Sequence, residues 1–190
     1  MLKKTIIAAL AVMAPVRAHA DETSGLRIEA RVGYETPTVS GDGDIYKIGS
    51  AVSYGGEVGF DLKLGKNSKL RFGPYATYEA SSVSICDGGD CLSVESNLGV
   101  GGRLGYALSD SSVIYIKAGY AEFKLKATSG TFSGTQTETG IQGALGYEAK
   151  VAKKIFWFAE VNYGDYGALD GVPGVNLQRR QVVTGVGVRF

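Results

Sequence analysis

From Leu26 to Phe190 the chain alternates apolar and polar residues with period two, and after residue 20 it holds no apolar run long enough to cross a bilayer as a helix. Period two is the mark of a strand with two unlike faces. The last stretch is the cleanest: Val182, Thr184, Val186, Val188 and Phe190 face one way, and Gln181, Val183, Gly185, Gly187 and Arg189 the other. Chain ends usually fray. A two-faced strand kept to the final residue predicts a sheet that closes on itself, its last strand meeting its first.

Eight such segments can be read along the chain. They are residues 26–35, 52–64, 69–80, 94–108, 113–126, 139–151, 155–163 and 181–190. In the first, Leu26, Ile28, Ala30, Val32 and Tyr34 oppose Arg27, Glu29, Arg31, Gly33 and Glu35. The fifth changes phase: Ile114, Ile116, Ala118 and Tyr120 are followed by Phe123 and Leu125, which predicts a bulge near Ala121 that keeps the apolar residues on one side. In the seventh, Phe156 and Phe158 interrupt the polar face. Each segment has about the ten residues that a tilted strand needs to cross an apolar band.

Alternation alone leaves open which face is outside, because a soluble barrel with charges on its surface alternates too. Two further patterns favour lipid outside. Connections are long at 36–51, 81–93, 127–138 and 164–178, and short at 65–68, 109–112 and 152–154, the layout of long outer loops and short periplasmic turns. Aromatics on the apolar face fall in two groups. Tyr34, Tyr54, Tyr78, Tyr120 and Tyr163 lie near the long connections, and Phe60, Phe72, Tyr106, Tyr147, Trp157 and Phe190 near the short ones, as two membrane interfaces select. The other face then becomes a lumen of mixed sign: Arg27, Arg31, Lys63, Arg71, Arg103, Lys117, Lys150 and Arg189 with Glu29, Glu57, Asp61, Glu79, Glu95, Glu148 and Glu160. In an eight-stranded barrel such a lumen is filled by side chains.

The N-terminus reads as an export signal. Lys3 and Lys4 precede the apolar run 6–16, and Ala18-His19-Ala20 predicts cleavage before Asp21. The mature barrel domain, 21–190, then carries 17 basic residues against 19 acidic, since Lys3, Lys4 and Arg17 leave with the signal. That balance offers no footprint for nucleic acid. Abundant glycine (28), scarce proline (4) and 11 tyrosines suit a closely packed all-β chain.

Several stretches carry a family likeness: the opening strand 26–34, the glycine-rich 97–106, Ala118-Gly119-Tyr120, 159–163, and Val186-Gly187-Val188-Arg189-Phe190. The chain resembles the small eight-stranded outer-membrane barrels, namely the transmembrane part of OmpA, the Ail/Lom and opacity-type surface proteins, and the porin-family barrel domain. The resemblance implies an antiparallel up-and-down transmembrane β-barrel in the outer membrane, among outer-membrane lipid and lipopolysaccharide. It also implies that Phe190 presents the terminal aromatic read by the barrel-assembly machinery. Roles in such families range over adhesion, complement resistance and envelope stabilisation. The peptidoglycan-binding domain that follows the barrel in OmpA is not expected here.

Lipid-modifying barrel enzymes need a base near a nucleophile at the outer rim. The only histidine is His19, inside the signal, so Ser81, Ser129 and Ser133 read as solvated turn residues. Cys86 and Cys91 bracket Asp87-Gly88-Gly89-Asp90. In an exported chain this predicts a disulfide, with a thiolate-plus-aspartate metal site as the alternative. Gly41-Asp42-Gly43-Asp44 lacks the spaced ligands and final glutamate of a calcium loop. No cofactor is expected. Two functions remain open: a rigid platform whose outer loops, including Tyr166, Leu169, Val172 and Val175, meet a surface ligand, and a narrow solute channel gated by lumenal ion pairs.

Overall fold

The computed structural model describes residues 23–41, 44–168 and 174–190. The signal segment, Asp42, Gly43, Leu169 and Val172 lie outside these. The described chain forms ten strands: β1 (Gly25–Gly41), β2 (Asp44–Lys47), β3 (Ala51–Lys63), β4 (Leu70–Ser81), β5 (Ser84–Asp87), β6 (Asp90–Ser109), β7 (Ser112–Ser129), β8 (Phe132–Lys150), β9 (Ile155–Ala168) and β10 (Asn176–Arg189). Eight of them pair antiparallel with their sequence neighbours in a ring, while β2 and β5 are short additions on β1 and β6. The last strand meets the first over the whole register from Arg27↔Arg189 to Ser40↔Asn176. Closure runs to the final residue, whose amide donates to the Leu26 carbonyl at 2.9 Å.

Burial decides the orientation that alternation left open. Ile28, Val32, Val58, Leu98, Ile116, Val161 and Val186 are exposed on the outside, whereas Arg27, Glu57, Asp61 and Arg103 are buried within. Such a surface is stable only in lipid, so charges coating the outside of a soluble barrel are excluded. Tyr34, Tyr54, Tyr78, Tyr120 and Tyr163 lie outward towards the long connections, and Phe72, Tyr106, Tyr147, Trp157 and Phe190 outward near the short turns. Lys69 and Lys154 stand over the Tyr106 and Phe190 rings, where a cation can leave its stem in the interface and its head in water.

Three expectations are corrected. First, the long connections are largely strand. β7 and β8 continue as a hairpin to Ser129↔Phe132, β5 and β6 to Asp87↔Asp90, and β1 and β2 to Gly41↔Asp44. Beyond the membrane these segments still satisfy their backbone groups by pairing, and their threonines and isoleucines favour the extended chain. Second, β7 has no bulge at Ala121: its pairing with β8 is unbroken from Ser112 to Ser129. The phase change is a change in what fills the barrel, for Ala121, Phe123 and Leu125 are buried inside, and Lys124 lies outside. Third, β6 carries a register shift against β7 between Val94 and Ser96. Glu95 is the extra residue there, half-buried and off the lumenal row that Val94 and Asn97 occupy. It is therefore not placed in the lumenal network.

Candidate functional site

The lumen is packed in layers. Nearest the short turns, Asp61 accepts from Arg103 Nη1 at 2.5 Å and from Arg189 Nη1 at 2.9 Å. Glu148 accepts from Arg103 Nη2 at 2.9 Å and from Arg189 Nη2 at 2.7 Å. Two arginines and two carboxylates thus close a four-membered ring of charge from β3, β6, β8 and β10. Arg71 lies beside it and donates to Thr23 Oγ1 at 2.9 Å and to the Ser68 carbonyl at 2.9 Å. Lys63, at the strand end, is exposed.

The middle layer centres on β1. Arg27 donates to Glu29 at 3.1 Å and to Glu57 at 2.9 Å. Arg31 reaches Glu29 at 2.9 Å, Glu57 at 2.9 Å, Glu79 at 3.3 Å, and Glu160. Lys117 sits between Glu57 and Glu160, 2.6 Å from each. Aromatic rings share the layer: Arg31 lies 5.2 Å from the Phe158 centroid and Arg103 3.9 Å from that of Tyr115. Glycines on the inward face make room for these rings. A Cβ on Gly187 would stand 2.2 Å from Phe156, and one on Gly146 2.3 Å from Tyr115. Phe156 and Phe158 thus belong to the lumen by packing against glycine, not by polarity.

Above this, Arg179 joins Glu35 and Glu79, the latter at 2.8 Å. Gln181 donates to Ser53 at 2.7 Å, and Asn97 donates to Gln142 at 3.3 Å. Glu35 and Arg179 were not among the expected network members. Arg179 shares the inward side with Gln181, so carrying the alternation of the last strand back by two residues finds it. The space left between Arg31, Tyr75, Glu79, Lys117 and Glu160 is about 10 Å³, room for about one water.

The mouth is closed by an apolar cap with no counterpart in the sequence reading. Ile48, Val83, Val94, Ala121, Phe123, Leu125, Tyr166 and Leu177 form one buried cluster drawn from β6, β7, β9, β10 and the segments that follow β2 and β4. The Phe123 and Tyr166 rings are 4.9 Å apart, and the Tyr166 hydroxyl donates to Asn97 Oδ1 at 2.7 Å. The sequence groups Tyr166 with loop residues for surface contact, but in the structure it is a plug residue.

Outside the cap, β5, β6, β7 and β8 rise as one sheet. At its tip Gly88 and Gly89, with φ of +58° and +98°, form the two-residue turn, a geometry open to glycine. Asp87 and Asp90 flank the turn, so Cys86 and Cys91 are the next pair, with Cα atoms 4.1 Å apart, and they are joined by a disulfide. The thiols are thereby unavailable as metal ligands, and no cluster of metal-binding side chains occurs among the described residues. The concave side of this sheet carries a groove of about 670 Å³ lined by Ile85, Leu92, Ala127 and Phe132 among others.

The closed ring of antiparallel strands is shared with known proteins. The family described as outer membrane protein beta-barrel domain matches residues 6–190. The chain belongs to this family. It resides in the outer membrane. Neisserial surface protein A aligns with a TM-score of 0.54 at 16% identity, covering 86% of this chain and 97% of that one. The N-terminal barrel domain of Pseudomonas aeruginosa OprF gives 0.52 at 17% identity, covering 84% and 97%. Ail of Yersinia pestis, in complex with the heparin analogue sucrose octasulfate, gives 0.52 at 14% identity, covering 86% and 99%. At these identities the likeness is one of fold. No curated protein sequence matches the chain.

Proposed function

We propose that this barrel is a non-enzymatic, sealed platform in the outer membrane that carries a rigid β-extension to the cell surface for contact with an external ligand. The observation that supports it most is the filled lumen. Ion pairs occupy the lower and middle layers, a void of only about 10 Å³ lies between the middle layer and the Arg179 layer above it, and an apolar cap covers the top. A hydrated solute has no path through such an interior. This argues against the narrow-channel alternative, because opening it would require breaking several buried pairs together. Among the loop serines, Ser81 donates its hydroxyl to the Glu35 carboxylate, and the mature chain contains no imidazole to activate any of them.

In this reading the outward Lys124, two residues above Glu122 and four above the girdle residue Tyr120 on the same face of β7, would meet lipopolysaccharide phosphates. Phe190, on the outer face at the periplasmic rim, would be the residue presented to the assembly machinery. The Ail neighbour crystallised with a sulfated sugar supports surface binding as a role for such a platform. Solute flux tests the reading: liposomes holding the refolded protein should swell no faster in small sugars than empty ones, and swelling that scales with protein content would refute it.

A further inference from the structure

On one side the outer wall of the barrel sinks inward just above the tyrosine girdle. β6 pairs with β4 as far as Ala80↔Ser96, and with β5 only from Ser84↔Ser93. Between the two pairings Val83 turns into the cap, and on the facing strand the extra residue Glu95 bends β6. The result is an outward-facing trough of about 580 Å³, within the range of about 300–1,000 Å³ that small-ligand sites occupy.

Register sets its shape. Tyr54, Ala80, Ser96 and Lys124 are successive cross-strand partners on β3, β4, β6 and β7, so they form one row across the outer face. Ala80 and Ser96 are small, and the row dips between them. The exposed rings of Tyr54 and Tyr78 stand at one end of the trough, and Lys124 and Lys126 at the other. Among the described residues neither ammonium has an ion-pair or hydrogen-bond partner. Two lysines against Glu95 leave the lining one net positive charge.

The two ends differ in what they ask of a ligand. The tyrosine end continues the lipid-facing surface of Val52 and Val58, where a ring offers an apolar face and a hydroxyl tip. The lysine end stands above the girdle, in water. A hydroxylated, anionic head fixed to apolar chains matches this gradient.

We propose that the trough binds the phosphorylated sugar headgroup of an outer-leaflet glycolipid. Its phosphate meets Lys124 and Lys126, its sugar ring lies over Ala80 and Ser96 against Tyr78, and its acyl chains leave along the wall below. The proposal rests on the platform reading and gives its Lys124 a defined site. One net positive charge suits a single phosphate, whereas a highly sulfated polyanion would leave most of its charge unmatched. Arg180, outward on β10 beside Tyr163, faces the same leaflet from another side of the barrel and lies outside the trough.

The test uses the full chain refolded into phosphatidylcholine nanodiscs that contain a synthetic monophosphorylated diglucosamine lipid. Native mass spectrometry should find one such lipid retained per barrel, and its addition should shift the amide signals of Ser96, Lys124 and Lys126. Replacing both lysines with glutamine should weaken retention at least about tenfold, the scale of a lost hydrogen bond to a charged group. Ser96→Leu, which fills the floor and keeps both charges, should weaken it likewise. Arg180→Gln should retain the lipid as the parent does. Heat-dependent gel mobility confirms that each variant is a folded barrel. No retained lipid, equal retention by the folded double variant or by Ser96→Leu, or equal retention of the dephosphorylated lipid would overturn the proposal. So would the same amide shifts produced by inorganic phosphate or sucrose octasulfate without lipid retention, which assign the trough to a soluble anion. Solute flux with one lipid still retained would instead remove the sealed-platform reading and leave the site standing.

Discussion

Replacing Arg31 with methionine should destabilise the barrel by about 3–5 kcal/mol, the usual cost of removing one partner from a buried charge cluster. The structure sets this at the high end of electrostatic effects. Arg31 serves Glu29, Glu57, Glu79 and Glu160 together, at 2% side-chain exposure. Methionine keeps much of the volume beside Phe158, so the loss is chiefly that of a buried cation facing carboxylates that remain. The assay is urea unfolding in lipid vesicles, followed by Trp157, the single tryptophan, which lies on the lipid-facing surface. Glu160→Gln in the Arg31→Met background removes one stranded charge, and should give a coupling of about 0.5–3 kcal/mol in the double-mutant cycle. A loss below about 1 kcal/mol, the worth of an exposed pair, would show that water reaches these charges and would refute the packed lumen.

Gly185→Ala should cost at least about 1–3 kcal/mol, since its Cβ would stand 2.1 Å from the Ala30 carbonyl at the closing seam. Gly134→Ala, with nothing within 4 Å, should stay within about 0.5 kcal/mol, and both are read from the same unfolding curves. Cys86→Ser should leave the barrel midpoint unchanged while speeding proteolysis at the 87–90 turn, because the disulfide closes only the hairpin tip; a lowered barrel midpoint would contradict this. Deleting Phe190 should reduce insertion yield in reconstituted assembly more than it lowers the unfolding midpoint of barrels already formed. The reverse ranking would make the residue a structural clasp.

The transmembrane part of the fold was legible because period two, turn spacing and aromatic position all report the same two-faced strand. Arg27, Glu29, Arg31, Glu57, Asp61, Glu79, Arg103, Glu148, Glu160 and Arg189 reach the lumen from their phase alone. Which of them meet was not legible, because pairing across the barrel depends on shear, and alternation carries no shear. The residues 121–125 were misread for a physical reason. A buried apolar cap and a lipid-facing surface select the same residue types, so Phe123 and Leu125 looked like lipid contacts displaced by a bulge. Glu95 failed for the converse reason, since a one-residue bulge in β6 moves it off the row. The outer hairpins were hidden in serine, threonine and glycine, which serve loops and solvent-exposed strands alike.

The claim on which the rest depends is that the lumen is closed at the ion-pair layers and again at the Phe123–Tyr166 cap. Current through a planar bilayer containing the refolded protein measures this directly. The packed interior predicts no unitary conductance steps above the bare-membrane baseline across the applied voltage range, whereas stable, reproducible openings would contradict it and return the barrel to the class of narrow channels.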